Sequence, residues 1–294
     1  MVNARADTLA HLSDPHLSSL DGVAWSALAS KRALGYLSWR RRRRFVHRRD
    51  VLDRVVADLL AEQPEIVLIS GDLTHIGLPS ECEAAARWLD ELRCRVCLVP
   101  GNHDRYVADD PRATTDRWLR HLGAADSPWP RVTRLEGLAI VALDSAVPSA
   151  PLMATGTLGD AQRERLSRVL EETGAEGRFR IVMLHHSPLP DGHAWRKRLT
   201  DAHALMAVLG ECGAELVIHG HGHVERIDRI ATPRGELVVV AAPSASDARD
   251  GRGGWNRYRI DGEAGRWTVE LTARRHRGGD VVTASQVRFV VSRA

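Results

Sequence analysis

The sequence is poor in aromatic and sulfur side chains. Three Phe, three Tyr and eight Trp are spread over 294 residues, so the core must be built from Leu, Val, Ile and Ala. Hydrophobic content of 44% is enough for a large one. Four cysteines, at 82, 94, 97 and 212, are too few for a disulfide framework. Cys94 and Cys97 have the spacing of a metal clip, but no second Cys pair completes a tetrahedral site. Cys97 falls in the run Val96-Cys97-Leu98-Val99 and reads as a small buried hydrophobe with a reduced thiol. No apolar run approaches the roughly 18–20 residues of a membrane span. The first seven residues have no apolar centre, which predicts no signal peptide and a cytoplasmic location.

One stretch lacks acidic residues altogether. Residues 22–49 carry nine Lys or Arg (Lys31, Arg32, Arg40 to Arg44, Arg48, Arg49) and no Asp or Glu, whereas the rest of the chain has 32 basic against 38 acidic residues. The net charge of +3 therefore comes from a local feature. Within it, Trp25, Leu28, Leu34, Leu37 and Trp39 interleave with a cationic end. A basic stretch bearing Trp suits the interface of an anionic membrane, and a solvated basic helix or hairpin is the plainer expectation.

The remaining pattern alternates. Thr8 to Leu12 reads as a strand, about 45–62 as a helix, Ile66 to Ile69 as a buried strand, Ser80 to Arg93 as a helix with Glu83 at capping-box spacing, and Arg95 to Val99 as a strand. This rhythm favours parallel strands with helices on the sheet faces. Val132 to Leu135 and Leu138 to Leu143 suggest a hairpin around Glu136-Gly137. Helices are expected at 158–172 and 202–212, strands at 180–184 and 215–218, and antiparallel strands from about 225 to the end. No repeat, low-complexity linker or domain boundary is visible, so residues 1–294 are expected to form one domain of two packed sheets with flanking helices.

Five short segments end the apolar runs: Asp14-Pro15-His16, Gly71-Asp72, Gly101-Asn102-His103-Asp104, His185-His186 and Gly220-His221-Gly222-His223. In parallel sheets ligands gather at the carboxyl ends of strands. Asp14 and His16 share a face of an extended stretch, as do His221 and His223. Together the segments supply seven carboxylate, imidazole and amide side chains of the kind that hold two divalent ions. Glycines at 71, 101, 220 and 222 let the chain turn tightly nearby. Any one of these histidines alone would read as a core or surface residue; the ordered set does not.

The order D-x-H, G-D, G-N-H-D, H, G-H-x-H over residues 9–223 resembles the calcineurin-like metallophosphoesterase superfamily. The resemblance implies a four-layer α/β-β/α sandwich forming a single catalytic domain. It also implies two divalent metal ions (Mn, Fe or Zn) and hydrolysis of a phosphoric ester through a metal-bridging hydroxide. By the same resemblance Asp14, His16 and His223 hold one metal, Asp72 bridges, and Asn102, His185 and His221 hold the other. His103 would stabilise the phosphoryl oxygens or protonate the leaving group, and Asp104 would orient His103. His11, His219 and His186 are expected to support or pack, His75 to contact substrate phosphate or lie at the surface, and His47 and His276 to be surface residues. Gly222 stands where the family often has a larger residue and is expected to loosen its loop.

Gly71-Asp72-Leu73-Thr74 followed by Glu81, and His185-His186-Ser187-Pro188, look like the bacterial class III cyclic-nucleotide phosphodiesterases. The expected substrate is accordingly a small phosphodiester resembling a cyclic nucleotide. The basic segment at 22–49 departs from that pattern. It resembles in design the lid of UDP-2,3-diacylglucosamine pyrophosphatases, which makes a membrane-associated lipid pyrophosphatase the alternative. The five arginines could also meet nucleic acid, but the net-acidic remainder argues against a nuclease. A non-catalytic scaffold is disfavoured because every ligand position holds a competent residue. A homodimer is left open.

Overall fold

The structure is a computed structural model that describes residues 3–122 and 128–293. The chain runs through β1 (Asn3–Leu12), α1 (Arg32–Ser38), a π-helical turn (Trp39–Arg43), α2 (Arg44–Val46), α3 (Arg49–Ala61), β2 (Ile66–Ile69), α4 (Pro79–Glu91) and β3 (Val96–Leu98). It continues through β4 (Arg131–Leu135), β5 (Leu138–Ala142), α5 (Asp160–Ala175), β6 (Phe179–Met183), α6 (Ala202–Cys212) and β7 (Leu216–His219). Five strands close it: β8 (Arg226–Thr232), β9 (Gly235–Ala241), β10 (Gly254–Glu263), β11 (Arg266–Arg277) and β12 (Asp280–Ser292).

Two mixed sheets result, in the orders β12-β11-β10-β1-β2-β3 and β4-β5-β6-β7-β9-β8. The inner strands pair in parallel: β1 with β2, β2 with β3, β5 with β6, β6 with β7 and β7 with β9. Their continuous apolar runs have a physical cause, since both faces of each strand are buried. In β2, Ile66 and Leu68 face the other sheet while Val67 and Ile69 face the helices; in β6, Ile181 and Met183 divide in the same way from Val182. One apolar layer thus joins the two sheets. A second packs α3 and α4 on the first sheet, and a third packs α5 and α6 on the other. This is the expected four-layer α/β sandwich. No helix among the described residues is long and apolar enough to cross a membrane.

Three local expectations need correction. The helix expected from about 45 breaks at His47 and Arg48, which are extended and stitched to another loop: the Arg48 N–H donates to Ser246 O, and His47 bridges Asp247. At the start of α4 it is Glu81, not Glu83, that reaches back, accepting from the N–H groups of His75, Ile76 and Leu78; Glu83 pairs with Arg87 on the surface. Finally, the basic segment is neither a hairpin nor a free helix. It forms α1, the π turn and α2, and buries Leu28 and Trp39 against Ile76, Leu78 and Tyr106.

At the end of the second sheet away from the loops just described, Arg180 and Glu215 form an enclosed ion pair at 2.7 Å, with side chains 2% and 3% exposed. Arg180 also donates to Leu170 O and Cys212 O, so one guanidinium ties the last turns of α5 and α6 to β6. Such a pair is costly to break from one side, because the remaining charge stays buried. We expect Arg180→Ala to lower the unfolding free energy by about 3–5 kcal/mol, measured by urea denaturation. A loss below 1 kcal/mol would mean that Arg293, whose Nη2 lies 3.5 Å from Glu215 Oε1, or water suffices as a partner.

Candidate metal centre

Each of the five segments leaves the carboxyl end of a parallel strand, and the strands' order brings them together. Backbone hydrogen bonds knit the loops: Asp14 N–H to Gly71 O, His16 N–H to Asp72 O and Gly220 N–H to His185 O. The backbone is also locally strained. Nine non-glycine residues have positive φ among the described residues, and five of them are Asp14, His16, Asp72, His221 and His223. Asp and His tolerate this conformation better than most residues, and strain of this kind concentrates at functional sites. Close approach matters as well: a Cβ on Gly220 would lie 1.8 Å from Ser13 Oγ and 2.6 Å from Asp14 Oδ2.

The side chains fall into two groups of ligand atoms, Asp14 with His16 and His223, and Asp72 with His185 and His221; within each, the atoms lie within 4.8 Å of one another. Asn102 joins the second group, its Oδ1 3.2 Å from His185 Nε2. The imidazoles are held in a consistent way. His16 Nδ1 donates to Thr74 O, His185 Nδ1 to Ser70 O and His221 Nε2 to Lys197 O. A neutral imidazole that donates from one nitrogen offers a lone pair on the other, the usual support of a metal-binding histidine. As a result His221 Nδ1 and His185 Nε2 face each other at 3.2 Å, with Asp72 Oδ2 3.4 Å from the latter. Lone pairs and a carboxylate do not hold one another; a cation among them would.

The electrostatics agree. Burial alone would push the His185 ring down, but Asp72 and Asp14 outweigh it and raise it to about 9, so that these carboxylates favour a proton on Nε2 where no metal ion takes its place. Burial likewise acts to raise Asp14, yet the charge and hydrogen bond of His223, with His185 and Ser13, hold its carboxyl well below the usual range. The pocket favours positive charge at this spot, and the donor set of imidazole, carboxylate and amide fits Mn, Fe or Zn.

His103 and Asp104 behave differently from expectation. Asp104 does not touch the His103 ring. Its carboxylate accepts from the N–H groups of Asp72, Thr74 and Gly101 and from the Thr74 hydroxyl, clamping the loops after β2 and β3 together. The turn that returns Asp104 N–H to Gly101 O aims its side chain away from the ring. His103 is oriented instead by His75 O, which its Nδ1 contacts, and by Arg43, whose Nη1 lies 2.7 Å from Nε2. Burial, then the Arg43 charge, keep the ring well below its ordinary pKa.

The other histidines sort as follows. His11 bonds Ser70 Oγ and His219 lies against Gly220 O, both buried, and His186 bonds Ser145 Oγ. His75 is buried rather than at the surface, with its ring stacked on His16 at 5.0 Å. His47 is not a surface residue: its ring centroid is 4.3 Å from that of His16, because the break before α3 turns it inward. Gly222 does not loosen its loop but makes room, since a Cβ there would lie 2.5 Å from His193 Cε1. Arg43 and His193 were missed as site residues. Arg43 was one of five arginines in a row, and His193 sits in an irregular loop with no periodicity to mark it.

Comparison with known proteins gives the same answer as the geometry. The family model for calcineurin-like phosphoesterases matches residues 8–225. The chain belongs to this family and is a metal-binding hydrolase of phosphoric esters. It is 30% identical over 240 residues to a probable cyclic nucleotide phosphodiesterase of Rhodococcus erythropolis, covering 80% of this chain and 69% of that one. It is 29% identical over 241 residues to the 3′,5′-cyclic adenosine monophosphate phosphodiesterase CpdA of Pseudomonas aeruginosa, covering 80% and 75%. Among solved structures, a dimetal phosphatase from Danio rerio shares the fold with a TM-score of 0.68 at 14% identity, covering 99% of this chain and 100% of that one.

Two outcomes follow from the site. Asp104→Ala strands three buried N–H groups and should cost about 3 kcal/mol or more, read by denaturation; a neutral result would remove Asp104 from its clamping role. Asp72→Ala should lose at least one bound metal by elemental analysis, and chelation should lower the melting temperature of the unaltered protein. Full metal occupancy in Asp72→Ala would take Asp72 out of the centre.

Proposed function

We propose that this chain hydrolyses a phosphodiester at a dinuclear metal site, with a cyclic-nucleotide-like substrate as the leading candidate. The observation that carries the reading is the pair of adjoining ligand groups, each with imidazoles locked to offer a lone pair. In this reading Asp14, His16 and His223 hold one ion, Asp72 reaches both, and Asn102, His185 and His221 hold the other. Such ions, when bound, supply a nucleophilic water at neutral pH and Lewis-acid stabilisation of the phosphoryl oxygens. His103 stabilises those oxygens or protonates the leaving group from Nε2, the nitrogen Arg43 contacts, which must first exchange that contact for a proton. Asp104 keeps the loops carrying Asp72 and Asn102 at a fixed separation. The diester preference is supported by the relatives named as cyclic nucleotide phosphodiesterases. The whole chain acts as one catalytic domain, a reading supported by the core shared between the two sheets.

A second reading is favoured by the basic segment. Trp25 and Phe45 are 77% and 62% exposed, beside the exposed arginines 40–42. Leu34 and Leu152, also exposed, line a cavity of about 330 Å³ that leads to Asn102 and His103. Apolar and cationic groups on one rim suit an amphipathic phosphate presented at an anionic membrane, such as a lipid-linked pyrophosphate.

The test is turnover by the Mn-loaded protein with bis-p-nitrophenyl phosphate, cyclic AMP and a UDP-diacylglucosamine, each with and without chelator. Chelator-sensitive cleavage of the diester and cyclic AMP supports the first reading; preference for the lipid substrate supports the second. His103→Ala should keep its metal and lose about 10²-fold or more in kcat. Loss of metal in that variant would overturn the division of roles.

A further inference from the structure

The basic segment is fastened to the rest of the molecule at both ends. Lys31 Nζ donates to Ser149 O, Ser149 Oγ and Met153 O, and Arg32 donates to Ile76 O and Gly77 O and pairs with Asp109. At the far end, Ala248 N–H donates to Val46 O and Arg48 N–H to Ser246 O. The loop that receives them also touches the metal centre, through Ser244 Oγ donating to Asp14 O. The segment is thus a fixed roof over the site.

Spacing from Trp39 accounts for which arginine faces inward. Residues four apart share a face of a helical turn, and π turns are frequent at functional sites. Trp39 is buried beneath the roof, and Arg43, four residues on, follows it inward, while Arg40, Arg41, Arg42 and Arg44 are exposed. Arg43 Nη1 reaches the His103 ring, and the guanidinium opens into the same cavity as Asn102 and His103. A guanidinium has five N–H donors, and a neutral imidazole accepts only one. Among the described residues the one hydrogen-bond partner of the Arg43 guanidinium is the His103 ring, at Nε2, and no carboxylate lies within ion-pair distance, although the more distant Asp72 and Asp14 favour its charge against the cost of burial. Donors left without acceptors in a half-buried site are completed well by an anion. The fork of donors matches two oxygens of a phosphoryl group.

We propose that Arg43 is a catalytic residue that binds the non-bridging oxygens of the scissile phosphoryl group beside His103, making the basic segment part of the active site. This rests on the phosphoester reading given above. The roof then adds a fixed cation on the side of the site opposite the residues that would hold the metals.

The experiment compares Mn-loaded wild type with Arg43→Ala, Arg43→Lys and Arg41→Ala. Metal content, inorganic phosphate affinity by calorimetry, and kcat and KM for bis-p-nitrophenyl phosphate are measured, the last with and without added guanidinium ion. Arg43→Ala should retain its metal, bind phosphate about tenfold more weakly or worse, and lose about 10²-fold in kcat/KM. Guanidinium ion should restore part of that turnover, and Arg43→Lys, which keeps the charge and most of the packing, should fall between Arg43→Ala and wild type. Arg41→Ala should stay within about twofold of wild type throughout. Phosphate affinity in Arg43→Ala within about twofold of wild type would overturn the proposal; lost turnover without rescue would then mean that Arg43 only steadies His103. If wild type cleaves no diester, the diesterase reading fails on that substrate, and the phosphate measurement still decides the role of Arg43.

Discussion

Two buried carboxylates, Asp14 and Asp72, face imidazoles whose free nitrogens carry lone pairs, and this arrangement is at ease only around positive charge. Much else in the molecule serves it. The parallel strands end together because that is where the ligand loops must converge. The left-handed backbone at Asp14, His16, Asp72, His221 and His223 is a cost the surrounding hydrogen bonds hold in place. The carbonyls of Thr74, Ser70 and Lys197 each fix one imidazole, so the backbone of two loops, the one after β2 and the one before α6, selects which ring nitrogen is free. Asp104 binds three N–H groups from the two loops that carry Asp72 and Asn102. It supports the centre as a brace rather than as a partner of His103.

The basic segment gains meaning from the same constraint. A dense negative and lone-pair-rich centre attracts a cation from outside as well as holding one inside. Arg43 ends the π turn four residues after the buried Trp39 and so shares its face. Its neighbours Arg40, Arg41 and Arg42 are exposed, as is Trp25, while Arg44 and Phe45 line a second pocket that reaches His16, His47 and His75. One short stretch therefore presents both a guanidinium beside His103 and exposed basic and aromatic side chains.

Most of the architecture was legible because burial on both faces leaves a plain signal. Ile66 to Ile69, Phe179 to Met183 and Leu216 to His219 are runs that only doubly covered strands need, and a ligand motif follows each of them. Helix α6 has the boundaries expected from its pattern. Failures came where a residue's role depends on a partner distant in the chain. His47 looks exposed beside basic neighbours, yet a bridge to Asp247, two hundred residues on, turns it toward His16. Gly222 looks like a weak point until His193 is seen to fill the space beside it. Asp104 follows His103 in sequence, but adjacency along a turn sends the two side chains in different directions.

The sequence by itself determined the strand and helix order, the family, and the ordered set of residues suited to metals, because hydrophobic period and motif spacing are local properties that survive without coordinates. Only the tertiary structure decided which imidazole nitrogen is free, that Asp104 braces backbone, and that Arg43 alone among five arginines turns inward. Those outcomes depend on hydrogen bonds to carbonyls of other loops and on the packing of Trp39 against Ile76, Leu78 and Tyr106, and neither is written in the identity of the residues concerned.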